Sequence, residues 1–190
     1  IDLELIKEVA KTKKPLILST GMASKEEINE AIEVAKKTGN ENIVVLHCTS
    51  AYPAPAEEAN LITIKKIRDE FNVITGLSDH TEGTIISNIA IALGACLIEK
   101  HFIIDKKNGG LDSSFSIDSK ELKSLVNQSI VSRKSIGNPS FQPTSSEQVV
   151  LKNRRSLYVV RDIKEGDFLT TENIKSIRPG YGMLPKYISK

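Results

Sequence analysis

The sequence lacks any long apolar run and carries almost no net charge. Its 190 residues include 26 Lys and Arg against 24 Asp and Glu, a formal net charge of +2. A membrane-spanning helix needs about 20 consecutive apolar residues, and no secretory signal is visible. Such balanced charge gives no reason to expect binding to nucleic acid or to a membrane. With 39% apolar residues, the composition predicts an ordinary globular protein, which we expect to be cytoplasmic.

Cysteine is scarce, and the glycine-rich loops that cradle phosphates are absent. Cys48 and Cys96 lie within apparent strands and form no CxxC pair, so we expect both to be buried, reduced thiols. Neither GxGxxG nor GxxxxGKS/T occurs in the chain. A starting Met is also missing, because the chain opens inside a helical pattern. We therefore expect a fragment of a longer protein.

Four apolar segments alternate with four amphipathic helical patterns. The predicted strands cover residues 15–21, 42–50, 72–77 and 95–103, and the predicted helices cover about 24–37, 57–70, 85–93 and 118–136. Capping boxes mark the starts of the first helix, with Ser24 and Glu27, and of the last, with Asp118 and Glu121. Strands rich in Val, Ile and Leu between such helices predict an α/β fold with a parallel sheet.

A parallel sheet of this kind belongs either to a doubly wound fold or to a (β/α)₈ barrel. Polar residues end every predicted strand, which favours the barrel, because a barrel draws its catalytic groups from many strand ends. A doubly wound sheet would instead show a glycine-rich phosphate loop. We therefore predict the C-terminal half of a TIM (β/α)₈ barrel over residues 1–137. A linker is predicted over 138–153, and a small, truncated β-rich domain over 154–190.

Two neighbouring predicted strands end in histidine, at His80 and His101. In a parallel barrel, adjacent strand ends can bring two imidazoles onto one divalent metal, with water and substrate oxygens as the remaining ligands. The alternative is a pair of core or capping histidines. By alternation Glu99 shares the side of His101, where a carboxylate can orient an imidazole.

The residues that precede the two histidines carry opposite charges. Alternation places Asp79 on the side opposite His80, where it either supports the site or caps the following helix. Lys100 is expected to point away from His101, which speaks against a Schiff-base role for this lysine.

Hydroxyl groups recur at the strand ends, at Ser19, Ser50 and Ser78. Together with nearby helix N-termini they can bind a phosphate or a carboxylate. Tyr52, in the loop after the second strand, either walls a small-molecule pocket or belongs to a simple proline turn.

Six ordered motifs resemble the sialic-acid synthase family over nearly the whole chain. They are "STGMAS", "HCTSAYPAPAEEANLITI", "GLSDHTEGT", "GACLIEKHF", "LDSSFSID" and "SIRPGYG". The second and the last of these favour the pseudaminic branch, since the N-acetylneuraminate branch usually has Asn where Ser50 stands. The resemblance implies a TIM barrel followed by a small antifreeze-like (SAF) domain.

The resemblance also implies an activity and a set of site residues. The family condenses phosphoenolpyruvate with an acetamido-sugar aldehyde, releases phosphate and uses a divalent metal, Mn²⁺ or Mg²⁺. His80 and His101 match its metal ligands, Ser19, Ser50, Tyr52 and Ser78 match phosphoenolpyruvate-binding positions, and Asp112 matches a sugar contact. Arg178 matches a SAF-domain arginine that reaches the partner subunit's sugar site in a domain-swapped homodimer.

Alternatives remain within and outside this chemistry. The same reaction on another sugar would make the protein an N-acetylneuraminate or legionaminate synthase. A non-catalytic, SAF-bearing sugar-binding protein is the alternative from another class. Because the first half of the barrel is not in this sequence, we expect the fragment alone to be inactive and its strand edges to lie exposed.

Overall fold

The computed structural model describes residues 1–188, without the side chain of Asn108. The chain forms two compact units, Ile1–Gly137 and a second that begins at Asn138. The first unit contains α1 (Leu3–Ala10), β1 (Leu16–Ser19), α2 (Lys25–Lys37), β2 (Ile43–Cys48), α3 (Ile62–Phe71), β3 (Ile74–Asp79), α4 (Ile85–Ala92), β4 (Ile98–Lys100) and α5 (Ser119–Ser135). No helix within residues 1–188 is long and apolar enough to cross a membrane.

The four strands of the first unit form one parallel sheet in the order β1-β2-β3-β4. This confirms the predicted α/β class. The helices α2 and α5 begin with the capping boxes that the sequence predicts, at Ser24 with Glu27 and at Asp118 with Glu121. The bounds of all four strands differ from prediction. Strands β1, β2 and β4 are shorter than predicted, β4 with only three residues, and β3 is shifted so that it ends at Asp79.

The helices cover one face of the sheet and leave the other face open. Leu16, Ile43 and Val45 pack in a buried cluster with α2, and Leu77 packs with residues of α3 and α4 in a second cluster. On the other face, Ile17 of β1 is 48% exposed. A doubly wound sheet carries helices on both faces, so the one-sided cover indicates a barrel-type sheet whose open face is its interior.

The predicted inner face of α4 is wrong in part. The spacing of Ile85, Ile86, Ile89 and Leu93 predicted an apolar face, yet Ile85 is 73% exposed. The buried residues are Ser87, Ala90 and Ile91. Ser87 lies inside because its hydroxyl donates a hydrogen bond to a buried carboxylate of β3.

The expectation of two buried thiols is right only for Cys48. Cys48 is the last residue of β2 and is 7% exposed, whereas Cys96 is exposed. Cys96 precedes β4 at the amino-terminal end of the sheet, in the short loop after Gly94. The apolar segment that contains it is longer than the strand that forms.

The second unit contains a short helix and a two-stranded sheet. Helix α6 (Ser145–Val150) lies inside the segment predicted as a linker, and a capping box of Thr144 and Glu147 begins it. Strands β5 (Ser156–Val159) and β6 (Ile174–Ile177) pair antiparallel. The sequence already contained this capping signal, but the flanking prolines and serines obscured it.

Candidate active site

The candidate residues lie at the carboxyl ends of the parallel strands. Ser19 ends β1, Ser78 is the penultimate residue of β3, and His80 and His101 directly follow β3 and β4. Asp79 and Lys100 are register partners across the last pair of the β3–β4 ladder. Their side chains contact each other on the helix-covered side, and alternation then places the two imidazoles toward the open face.

The two imidazoles face each other at this edge. The ring centroids of His80 and His101 are 5.2 Å apart, and the ring planes meet at 61°. His80 is 7% exposed, and the side chain of His101 is 31% exposed. The sequence prediction that these two histidines share one site is therefore supported by their geometry.

One ring nitrogen of His80 forms a hydrogen bond with the backbone. Its Nδ1 lies 3.1 Å from the carbonyl oxygen of Thr49. Because a carbonyl only accepts, this contact assigns the proton to Nδ1 and leaves Nε2 with a free lone pair. Burial lowers the pKa of His80 below its ordinary value, and the nearby His101 lowers it further. The neutral ring, which is the form that binds metals, is thereby favoured.

A carboxylate faces the corresponding nitrogen of His101. Nδ1 of His101 lies 3.3 Å from Oδ2 of Asp112. The loop before α5 turns back along the end of β4, because the Ile117 amide donates to the carbonyl of His101 at 2.9 Å and the Ile103 amide donates to that of Ile117 at 3.0 Å. A carboxylate in this place orients the imidazole and leaves Nε2 available. Alternation indicated Glu99 for this contact, but Asp112 makes it.

Two aromatic side chains complete a cluster of four rings. The ring of Tyr52 lies 4.4 Å from that of His80 and 5.9 Å from that of His101. Phe115 lies 5.0 Å from His101, also between ring centroids, and is 5% exposed. Tyr52 itself is 56% exposed, so it lies on the outer side of the histidine pair.

The donor set fits a divalent metal bound by two imidazoles. Both Nδ1 atoms face oxygen acceptors, which leaves the two Nε2 atoms as ligands. Within residues 1–188, no group of three or more His, Cys, Asp or Glu side chains could hold a metal ion. An ion bound to His80 and His101 would therefore complete its coordination with water and substrate oxygens, the open arrangement of a catalytic site.

The predicted anion-binding hydroxyls are brought to one edge but differ in availability. Ser78 is buried, and its hydroxyl donates to Oε1 of Glu99 at 2.7 Å. Ser50 is exposed, with its Oγ 3.8 Å from the Sγ of Cys48. Ser19 is exposed and makes no side-chain hydrogen bond within the described residues. The exposed hydroxyl of Ser19 is therefore free to donate to a ligand, and that of Ser50 is exposed but contacts the Cys48 thiol. The single proton of Ser78 is already donated to Glu99.

Of the two roles that the sequence left open for Asp79, the structure excludes the helix cap. Thr84 precedes α4 at the cap position without a side-chain bond, so Asp79 is not the cap of that helix. Instead Oδ2 of Asp79 forms an ion pair with Nζ of Lys100 at 3.0 Å, with side-chain exposures of 1% and 3%. Lys100 points away from His101 as predicted.

Arg178 lies in the second unit, just after β6, and is exposed. The loop that follows packs against the segment just before β5: the Gly180 amide donates to the carbonyl of Lys152 at 2.8 Å. A Cβ at Gly180 would lie 3.0 Å from the carbonyl oxygen of Arg154, so this loop lies close to the backbone of the preceding segment.

Phe115 and Cys48 lie at the site, and sequence reasoning did not select them. Phe115 stands in a serine-rich loop, and only the return of that loop to His101 brings it to the site. Glu99 was read as a partner of His101, but the register pairs it with Ser78. The Sγ of Cys48 lies 3.8 Å from Nδ1 of His80. Cys48 is the last residue of the second strand, and this position was the sequence signal that could have placed it at the site.

A cavity of about 1090 Å³ lies away from this site. It opens at the amino-terminal ends of β3 and β4, near Ile74 and Cys96, and α5 forms one wall. The polar side chains described above are at the opposite ends of the strands. Since barrel enzymes carry their chemistry at the carboxyl ends, this cavity is not the candidate active site.

The fold and the site define a half-barrel α/β protein with polar chemistry at its strand ends, and comparisons with known proteins identify the family. Residues 1–140 match the NeuB family, and the chain belongs to that family. A crystal structure of N-acetylneuraminic acid synthetase from Leptospira borgpetersenii, in complex with citrate, is similar with a TM-score of 0.73 and 35% identity. The match covers 79% of this chain and 52% of that chain.

Two relatives carry specific names. Pseudaminic acid synthase of Campylobacter jejuni is 42% identical over 189 residues, which are 98% of this chain and 54% of the relative. N,N'-diacetyllegionaminic acid synthase of the same species is 43% identical over 185 residues, 96% of this chain and 55% of the relative. The chain thus spans about half the length of the relatives it matches. The resemblance to sialic-acid synthases and the curled parallel half-barrel are confirmed.

Proposed function

We propose that this chain forms the metal-binding half of a nonulosonic acid synthase, which condenses phosphoenolpyruvate with an acetamido-sugar aldehyde. The observation that carries the proposal is the pair of facing imidazoles, each with its Nδ1 turned to an oxygen acceptor. Relatives named as synthases of pseudaminic and legionaminic acids support it. The bound cation, held by His80 and His101, would supply Lewis-acid polarisation of the sugar carbonyl.

Of the two ions that the sequence suggested, Mn²⁺ suits this donor set better than Mg²⁺. Mg²⁺ is held by oxygen ligands and keeps several waters, whereas two of the protein ligands here are imidazole nitrogens. Burial keeps His80 neutral, so the ion competes with few protons at neutral pH.

The bond changes of the proposed reaction balance without any oxidant or reductant. The alkene carbon of phosphoenolpyruvate attacks the aldehyde carbon, and the aldehyde oxygen takes up a proton. Water then adds to the cationic carbon that bears the phosphate, and phosphate leaves by C–O cleavage. The exposed hydroxyls of Ser19 and Ser50 can donate to the anionic groups of phosphoenolpyruvate. Ser78 would join them only after releasing Glu99.

We propose pseudaminic acid as the product, because the motif around Ser50 and Tyr52 favours the pseudaminic branch. The relatives do not separate the branches, since the pseudaminic and legionaminic synthases are 42% and 43% identical to this chain. Supplying the full-length protein, as encoded, with phosphoenolpyruvate and each branch's sugar aldehyde in turn will identify the substrate by product mass. No product with any aldehyde, despite sugar binding, would favour the non-catalytic sugar-binding alternative.

The metal centre has its own test in the same protein. His80→Ala and His101→Ala should each reduce Mn²⁺-dependent turnover by at least about 100-fold, because each removes one of two protein ligands. Circular dichroism should remain that of the wild type. Turnover within a few-fold of wild type in either variant would contradict the centre.

The route of phosphate release is tested by isotope labelling. With ¹⁸O in the bridging oxygen of phosphoenolpyruvate, the label should leave with the phosphate. Label retained in the sugar acid would indicate P–O cleavage and would exclude the proposed sequence of bond changes.

The second unit is proposed to be the start of a SAF domain. The similarity to the C. jejuni relative extends over 98% of this chain, which includes the unit that begins at Asn138. We propose that its exposed Arg178 donates to the sugar bound by the partner subunit in a domain-swapped homodimer. A guanidinium suits that role because it offers five donors and stays charged.

A further inference from the structure

A buried ion pair lies directly behind the two imidazoles. Nζ of Lys100 is 3.0 Å from Oδ2 of Asp79, and both side chains are almost inaccessible. Oδ1 of Asp79 accepts from the amide and the hydroxyl of Thr81 at 2.9 and 2.7 Å. Oδ2 also accepts from the hydroxyl of Ser87 at 2.5 Å. Lys100 donates a further bond, of 2.6 Å, to the carbonyl of Thr81.

This network surrounds the position of His80. Asp79 and Thr81 flank His80 in sequence, and both are held by Lys100. Lys100 in turn directly precedes His101. The network therefore fixes the backbone on both sides of one imidazole and immediately before the other.

The backbone ladder alone gives little support at this point. Strand β4 has only three residues, and its last register pair with β3 is Asp79 with Lys100. Both histidines lie one residue beyond that pair. Their separation therefore depends on what holds the two strand ends together, and the ion pair joins those ends on the side opposite the rings.

Stability by itself does not explain two charges in this place. Removing an ammonium and a carboxylate from water is costly, and a well-packed apolar pair of similar volume is often as stable or more stable. Hydrogen bonds from four donors do satisfy Asp79, which makes the arrangement geometrically well defined.

We propose that Asp79 and Lys100 are positioning residues, which set the separation of His80 and His101 and thereby the affinity of the site for a divalent cation. The inference rests on the proposed function, in which the two imidazoles hold the ion. It differs from that function in assigning a role to residues that touch neither metal nor substrate.

The test compares breaking the pair with replacing it. In the full-length protein, Asp79→Asn alone leaves the Lys100 charge buried and unpaired, so both thermal stability and Mn²⁺ affinity should fall. The double variant Asp79→Asn with Lys100→Met removes both charges, and it should recover much of the melting temperature. Its Mn²⁺ affinity, measured by electron paramagnetic resonance of free Mn²⁺, should stay about 10- to 100-fold weaker than wild type.

A matched control is the exposed pair of Lys65 and Asp69 on α3. The double variant Asp69→Asn with Lys65→Met should leave both Mn²⁺ affinity and melting temperature near wild type, because exposed pairs contribute little. If the Asp79/Lys100 double variant binds Mn²⁺ as tightly as wild type, the buried pair is only structural and the proposal is wrong.

A second measurement tests the positioning role independently of metal binding. A metal-free crystal structure of the double variant should show the His80 and His101 rings displaced from their 5.2 Å centroid separation. An unchanged separation would overturn the positioning role, whether or not the site binds metal. Wild-type protein that binds Mn²⁺ no better than His80→Ala would contradict the proposed metal centre. In that case the ring separation in the double variant would alone decide whether Asp79 and Lys100 position the two histidines.

Discussion

At the scale of single residues, the candidate site depends on which protonation state burial favours. His80 is almost inaccessible, and desolvation lowers its pKa from the ordinary value of 6.5. The contact of its Nδ1 with the Thr49 carbonyl acts in the other direction and raises the pKa. Because desolvation is the larger cause, the folded protein holds a neutral ring with Nε2 available. The same lowered pKa makes folding depend on pH.

The first prediction concerns that pH dependence. Since the folded pKa of His80 is lowered, the unfolded chain binds more protons just below pH 6.5, and the free energy of unfolding falls as the pH falls through that range. We expect wild-type protein in EDTA to lose more stability between pH 7.5 and 5.5 than His80→Gln. Urea unfolding at both pH values measures this difference. His47 and His101 are present in both proteins, so an equal loss would contradict the lowered pKa.

A second residue-scale prediction concerns a buried hydroxyl. Oγ1 of Thr75 is the buried side-chain polar atom left without a hydrogen-bond partner within residues 1–188, and Thr75 is 1% exposed. Thr75→Val removes the unsatisfied group at nearly constant shape, so it should raise the free energy of unfolding by about 1 kcal/mol. Thr81→Val is the matched control, because the Thr81 hydroxyl donates to Asp79, and it should be destabilising. Thermal unfolding in which Thr75→Val is also destabilising would contradict the assignment.

At the scale of secondary-structure elements, the sheet has room only for glycine at one position. Gly76 lies in β3 opposite Leu46 of β2. A Cβ at Gly76 would come within 2.4 Å of the carbonyl oxygen of Leu97 and 2.6 Å of the Leu46 side chain. The first of these atoms belongs to the backbone and Leu46 is fully buried, so neither moves away easily. Glycine here is required for close approach between strands.

Gly76→Ala should therefore destabilise the first unit by about 1–3 kcal/mol, as overpacking of a core does. Gly182→Ala is the comparison, because its added Cβ would meet the nearest atom, the Leu157 carbonyl oxygen, at an ordinary 3.4 Å. Melting temperatures of both variants measure the effect. A Gly76→Ala protein as stable as Gly182→Ala would show that β2, β3 and β4 can separate without cost.

Local signals in the sequence predicted the elements well, and long-range contacts account for the errors. The helices α2 and α5 begin at their capping boxes because these need only residues three apart. The buried face of α4 was predicted wrongly because the apolar pattern assigned its isoleucines to that face. The hydrogen bond from Ser87 to Asp79 instead places this serine in the interior. For the site, His80 and His101 were predictable from strand ends. The contacts of Asp112 and Phe115 with His101 were not, since a loop returns them from beyond β4.

At the scale of the whole molecule, the proposed homodimer combines residues of both units of the chain. Arg178 lies in the unit that begins at Asn138, whereas both histidines belong to Ile1–Gly137. Its guanidinium is exposed and its loop is anchored on β5, where the Tyr158 hydroxyl donates to the Pro179 carbonyl at 2.9 Å. An arginine on an anchored loop can present several donors to a neutral sugar. The proposed swapped homodimer places it at the partner's metal site.

The swapped arrangement leads to a complementation prediction in the full-length protein. Arg178→Ala alone should raise the KM for the sugar more than that for phosphoenolpyruvate, because the arginine contacts only the sugar in this proposal. His101→Ala alone should be inactive. In a heterodimer of the two variants, one site combines an intact histidine pair with an intact arginine from the other subunit. Mixing the inactive variant with Arg178→Ala should thus restore wild-type KM at about a quarter of the sites, assuming random exchange. If subunit exchange is verified by mass and the KM does not recover, Arg178 acts within its own subunit or takes no part in binding the sugar.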